Sequence, residues 1–289
     1  MIDFHLHLWP HDLGTPQPTF ELLERYCERA AEAGIDQIAV TEHSYRFTRV
    51  AAEVIPHWER PLHGEVAEAS AHVLELEGGA DLDGYVRALD EAKRQGLPLL
   101  VGLEVDYWPG AMAAMAEVVA DYPFDVLLGS VHWLDDWLFD AYEIPAFARR
   151  WTERDTDEVY DQYVDSVIDL AQSGLVDVLA HVDVIKVAGH IPSNIEEHYN
   201  RLISAVVAAD VAVEFSSGGL RKPTAATYPT IDMMKRLVEV DVPLTTASDA
   251  HTVDQVGHRF DVLDAALDAA GAISLASFAK RQRHLIERQ

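Results

Sequence analysis

Seven short apolar runs punctuate the chain, and each leads into histidine or acidic residues. They are Ile2–Phe4 into His5 and His7, Ile38–Val40 into Glu42 and His43, Leu99–Leu103 into Glu104, Val126–Leu128 into Ser130 and His132, Val176–Leu179 into His181 and Asp183, Val211–Val213 into Glu214, and Leu244–Ala247 into Asp249 and His251. Continuous apolar runs of strand length, spaced by helix-length segments, predict a parallel sheet buried on both faces. The helical pattern, with apolar residues three and four apart and charge opposite, falls over Phe20–Ala33, Leu82–Gln95, Met112–Ala120, Asp157–Gln172, Ile195–Ala209, Ile231–Val240 and Asp254–Ala269. Gly34, Gly96 and Gly174 stand where helices commonly stop in a left-handed residue. In a parallel α/β barrel the carboxyl ends of the strands converge on one mouth, so residues far apart in sequence are predicted to share one site.

Residues 45–81 interrupt this rhythm with Pro56, Pro61, Gly64, Gly78, Gly79 and two helix-like pieces, directly after Glu42-His43. Long excursions from a barrel commonly carry function, and this one reads as a partial lid inserted into a single barrel domain spanning 1–289. The stretch Asp135–Asp155, rich in tryptophan and acidic residues, is a second candidate for covering the mouth.

The 49 acidic and 22 basic residues give a formal charge of −27, which opposes binding to phosphate backbones and anionic lipid. Nucleic acid and membrane are therefore not expected partners, whereas an anionic small substrate would need local positive groups. The lone cysteine, Cys27, sits in a helical pattern and reads as core packing in a reducing compartment. No apolar stretch approaches the roughly 18 residues of a membrane span, and Met1-Ile2-Asp3-Phe4-His5 lacks a basic-then-apolar leader. A cytoplasmic location is expected, and the oligomeric state is left open.

His5-Leu6-His7 places two imidazoles at i and i+2, on the same face of a strand, where they can share one metal ion. Further histidines and carboxylates at other strand ends turn that weak signal into a strong one. Imidazole and carboxylate without thiolate suit zinc, iron or manganese, and a carboxylate such as Glu104 can bridge two ions. Arg221-Lys222, after the flexible Ser216-Ser217-Gly218-Gly219, is placed to reach the mouth and hold phosphate oxygens. Asp183 reads as a partner orienting a ligand histidine. His57, His63, His72, His190, His198, His258 and His284 lie away from strand ends and read as solvated or locally hydrogen-bonded.

The series His5-Leu6-His7, Thr41-Glu42-His43-Ser44, Gly102-Leu103-Glu104, Gly129-Ser130-Val131-His132, Ala180-His181-Val182-Asp183 and Ser248-Asp249-Ala250-His251 resembles the PHP (polymerase and histidinol phosphatase) superfamily. The stretches 129–137, 173–181 and Ser217-Gly218-Gly219-Leu220-Arg221-Lys222-Pro223 resemble its monofunctional histidinol-phosphatase branch. The resemblance implies a distorted (β/α)7 TIM-like barrel binding two or three divalent or transition metal ions. By matching motif, it implies His5, His7, Glu104 and Asp249 around one ion, Glu104, His132 and His181 around a second, and His11, His43 and His251 around a third. One departure stands out: His11 follows His7 by four residues where the family spacing is six, so its neighbour Asp12 is the alternative ligand. The implied activity is a histidine-biosynthesis phosphatase acting on L-histidinol phosphate, with His5, His7, Glu104, Asp249 and Arg221 in catalysis, Arg221 and Lys222 on substrate, and Asp106 or Glu214, by their position at the mouth, pairing with the substrate's amine. A PHP phosphoesterase with another small substrate, and a non-catalytic barrel, are the alternatives; an amidohydrolase is disfavoured by the lack of a metal-bridging lysine after the third or fourth strand.

Overall fold

The structure is a computed structural model and describes residues 1–11 and 14–288. Seven parallel strands form one sheet in chain order: β1 Ile2–Leu6, β2 Gln37–Val40, β3 Leu99–Asp106, β4 Val126–Ser130, β5 Val178–Leu179, β6 Ala212–Ser216 and β7 Leu244–Ala247. The sheet curls into a barrel whose last seam, between β7 and β1, is closed without a regular ladder. There His7 N donates to Ala250 O at 2.7 Å and Thr246 Oγ1 to Ile2 O at 2.7 Å. The fully buried Asp3 accepts from Ser248 N at 2.7 Å and Ser248 Oγ at 2.5 Å. Desolvation pushes the Asp3 carboxyl up to about 6 against these hydrogen bonds.

The helices between strands begin and end for local reasons. Thr19 caps Phe20–Glu32 by accepting from Leu22 N, and Asp155 caps Thr156–Gln172 by accepting from Asp157 N and Glu158 N. Gly34, Gly96 and Gly174, predicted as stops, all hold positive φ. The last predicted helix starts later than expected, at Phe260, because residues 253–255 form a 3-10 turn and Gly257 at φ 69° donates to Asp3 Oδ2. Strand β6 runs Ala212–Ser216 rather than 211–213, and β5 is only two residues long.

The barrel interior is a separate apolar cluster of Ile2, Phe4, Ala39, Leu100, Val126, Leu128, Val178, Ala180 and Ala212, plugged from the amino-terminal end by Ala276 and Phe278. These last two come from an antiparallel hairpin, Ser274–Ala279 with Gln282–Glu287, that the periodicity did not predict. Its turn residues Lys280 and Arg281 both hold positive φ without the glycine or asparagine that usually signals such a turn. Arg281 locks the hairpin to the barrel by donating to Asp177 and to Leu175 O.

One irregularity in β1 positions the chemistry. Asp3 pairs with Ile38 but Leu6 with Val40, so three steps on β1 face two on β2. Ile2 and Phe4 already point inward, and strict alternation would turn His5 outward; the bulge absorbs one residue and aims His5 and His7 into the mouth.

Candidate metal centre

Glu104, fully buried on β3, is the hub of the mouth. Its Oε2 lies 2.7 Å from His43 Nδ1, 3.3 Å from His5 Nε2 and 3.5 Å from His7 Nε2. Its Oε1 lies 3.1 Å from His181 Nε2 and 3.6 Å from His132 Nε2. One carboxylate therefore faces two groups of imidazoles with its two oxygens, the disposition that bridging requires. Asp249 Oδ1 closes the first group at 3.6 Å from His7 Nε2 and 4.0 Å from His5 Nε2. His251 stacks on His7 with ring centroids 4.2 Å apart. Asp249 and His181 both sit at positive φ, 53° and 27°, a strained backbone of the kind that clusters at functional sites.

Behind the histidines stands a row of buried carboxylates. Glu214 Oε2 lies 2.8 Å from His5 Nδ1, Asp106 Oδ1 lies 2.8 Å from His132 Nδ1, and Glu42 Oε2 lies 3.4 Å from His7 Nδ1. Each is itself fixed: Glu42 accepts from Leu8 N and from Trp9 N, Asp106 from Ser44 Oγ at 2.8 Å, and Glu214 from His181 N at 3.3 Å. A carboxylate behind a ligand imidazole sets its tautomer and raises its basicity. This overturns the expectation that Asp106 or Glu214 faces a substrate amine, since both are fully buried against histidines. Glu42 was within reach of sequence reasoning, because it directly precedes His43, but its role became visible only once the fold put it beside His7.

The cluster is a poor set of hydrogen bonds and a good set of metal donors. His5 Nε2 and His7 Nε2 are 3.0 Å apart, and His7 Nδ1, both His43 nitrogens, His181 Nδ1, His251 Nε2 and Glu104 Oε2 are buried without a hydrogen-bond partner. Four trios have donor atoms within 4.8 Å of one another: His5–His7–Asp249, His5–Glu104–His181, His43–Asp106–His132 and His7–His43–His251. Orphaned buried donors so close together fit divalent metal ions. In this arrangement burial holds His43 and His251 well below the ordinary imidazole range. For His5 burial acts downward too, but the Glu214 and Glu104 charges outweigh it and hold it well above. Burial alone would raise Glu104, yet the surrounding imidazoles hold it well below the carboxylate range.

Eight of the nine predicted ligands thus converge in these trios, and the ninth, His11, stands at their edge. His11 is half-exposed, with its ring centroid 4.6 Å from that of His251, its Nδ1 3.0 Å from Glu77 Oε2, and it belongs to none of the four trios. Asp12, its alternative, lies outside the described residues. Arg221 donates through one nitrogen to Ser248 O at 2.8 Å and Asp249 O at 2.6 Å, while its other terminal nitrogen is buried and unpartnered. Lys222 is exposed and lines the cavity over the cluster. Asp183 does not orient a histidine as expected; it pairs with buried Lys186 and accepts from Thr230 N at 3.1 Å. His198 departs from the solvated reading as well: it is 1% exposed, and neither ring nitrogen has a hydrogen-bond partner.

The cavity holds about 490 Å³ above the cluster. Residues 45–81 supply Tyr45, Val73 and Glu77 to its wall, and Leu138 and Asp140 come from the short hairpin Trp133–Leu134 with Trp137–Leu138 and the turn after it. Among the described residues, no helix is long and apolar enough to cross a membrane.

A (β/α)7 barrel with a cluster of histidines and carboxylates able to hold metal ions at its carboxyl-terminal mouth defines the class of protein. The PHP domain family matches residues 20–218, and the chain belongs to it. It is similar to a probable histidinol-phosphatase of Deinococcus radiodurans, 29% identical with 90% of each chain covered. A histidinol-phosphatase of Bacillus subtilis is 24% identical, with 85% of this chain and 93% of the relative covered. Among solved structures, histidinol phosphate phosphatase from Lactococcus lactis, complexed with zinc, L-histidinol and phosphate, shares the fold with a TM-score of 0.71 at 16% identity and 98% coverage of both chains.

Proposed function

We propose that this protein is a metal-dependent phosphomonoester hydrolase that converts L-histidinol phosphate to L-histidinol and phosphate. The observation that carries the reading is the Glu104-centred cluster, in which one buried carboxylate faces five imidazoles at the mouth of a PHP barrel. The relatives named for this activity, aligned over most of both chains, support the choice of substrate.

The ion count, two or three, and the choice among zinc, iron and manganese belong to this proposal. His5, His7 and Asp249 would hold one ion, Glu104, His132 and His181 a second, and His43, His251 and His11 a third, with Glu104 shared. Ions bound there supply Lewis acidity toward phosphoryl oxygens and bring the pKa of water near neutrality. The protein does the rest. Glu214, Asp106 and Glu42 orient the imidazoles behind which they stand, Lys222 offers a mobile positive charge to the phosphoryl group, and the unpartnered nitrogen of Arg221 offers a fixed one. Residues 45–81 act as a partial cover, lining the cavity with Tyr45, Val73 and Glu77. Release of inorganic phosphate across a panel of phosphate esters tests the reading: kcat/KM should be highest for L-histidinol phosphate, and a higher value for an unrelated ester would replace it.

A further inference from the structure

Away from the metal donors, the cavity contains a carboxylate that the protein leaves unsatisfied. Asp140 lines the same cavity as His132, His181, Asp249 and Tyr228. Its Oδ1 is buried and has no hydrogen-bond partner, and the Tyr228 hydroxyl is in the same condition.

The support under Asp140 is rigid. Phe139 is fully buried, its N donates to His132 O at 3.2 Å, and its carbonyl accepts from Trp151 Nε1 at 3.0 Å. The turn beyond is closed by Ile144 N donating to Ala141 O at 3.0 Å. A side chain held in this way presents its oxygen in one place, as recognition requires. Buried carboxylate oxygens are normally hydrogen-bonded, and one left unpaired in a residue that lines a binding cavity calls for a donor from the ligand. A positively charged N–H is the strongest such donor.

We infer that Asp140 selects for a substrate bearing a cationic nitrogen, its buried Oδ1 accepting from an ammonium or imidazolium N–H while the phosphoryl group lies over the Glu104 cluster. This rests on the proposed activity and assigns to Asp140 the recognition that the sequence had suggested for Asp106 or Glu214. Tyr228 lines the same cavity and supplies a second unpartnered hydrogen-bonding group.

The test compares kcat/KM for L-histidinol phosphate and for p-nitrophenyl phosphate, which has no cationic nitrogen, in the metal-loaded wild type and in Asp140→Asn and Asp140→Ala. Metal content and thermal midpoint are recorded for each, so that a folding or metal defect is recognised. The wild type should prefer L-histidinol phosphate, and both variants should lose about 10- to 100-fold of that preference, chiefly through KM, with turnover of p-nitrophenyl phosphate nearly unchanged. Retention of the wild-type preference, or an equal loss on both esters, overturns the role of Asp140 while leaving the proposed activity in place. Absence of any preference in the wild type overturns the proposed activity, and the role of Asp140 falls with it.

Discussion

His5 Nδ1 lies 2.8 Å from Glu214 Oε2, and both side chains are completely buried. The contact leaves Nε2 of His5 free to face Glu104 and Asp249, and the negative charge behind the ring makes that nitrogen a better donor. Glu214→Gln preserves volume but removes the charge. It should weaken metal binding by about 10- to 100-fold, measured by titration of chelator-stripped protein. Unchanged affinity would reduce Glu214 to a space-filling role.

The imidazole of His132 predicts how metal binding depends on pH. Burial would depress it, but the Glu104 charge and the Asp106 hydrogen bond outweigh burial and raise it from 6.5 to about 10. A folded-state value above the unfolded one stabilises the metal-free fold fully below pH 6.5, and the stabilisation disappears as pH rises through 10. Ions require the neutral ring and must displace its proton, so apparent metal affinity should climb over the same window. Thermal unfolding of chelator-stripped protein should show falling stability from about pH 7 to 10, while competitive metal titration shows rising affinity. Affinity independent of pH in this window would mean that His132 is already neutral.

Arg221 holds the carbonyls of Ser248 and Asp249 and keeps one nitrogen unpartnered. Arg221→Ala should lower kcat/KM by about two to three orders of magnitude with metal content preserved, the scale of removing one preorganised donor. If metal is lost in parallel, its place is to position Asp249 and not to bind phosphate.

Phe278, on the Ser274–Glu287 hairpin, plugs the interior cluster from the amino-terminal end of the barrel and is 3% exposed. Phe278→Ala should cost about 3–5 kcal/mol in urea unfolding, the usual range for a buried phenylalanine. A loss below about 1 kcal/mol, within the scatter of surface substitutions, would show that the hairpin contributes little to the barrel.

The barrel was legible because its strands are buried on both faces and read as unbroken apolar runs, and because glycines such as Gly34 and Gly96 mark the helix ends. The grouping of the candidate site was legible for a related reason: strand ends converge, so histidines and carboxylates there could be gathered without knowing any distance. What could not be read were features set by tertiary pairing. The Ser274–Glu287 hairpin turns through Lys280-Arg281, which carries no turn signature, and Phe278 is buried only because the hairpin docks against strands far away in sequence. The bulge in β1 depends on register against β2, and the partners of Asp106, Glu214 and Asp183 depend on which face each strand end presents. Position along the chain placed these acids near the mouth but could not tell a carboxylate paired behind a histidine from one left unpaired in the cavity lining, as Asp140 Oδ1 is.

The central claim is that the Glu104 cluster, loaded with metal, hydrolyses L-histidinol phosphate. Phosphate release from that substrate, followed in metal-replete protein, in chelator-stripped protein and after adding back zinc, manganese or iron, tests it most directly. The account predicts turnover in the replete protein, its loss on stripping, its return with at least one of the metals, and no turnover in Glu104→Ala under any condition. Full activity in stripped protein, or in Glu104→Ala, would contradict it.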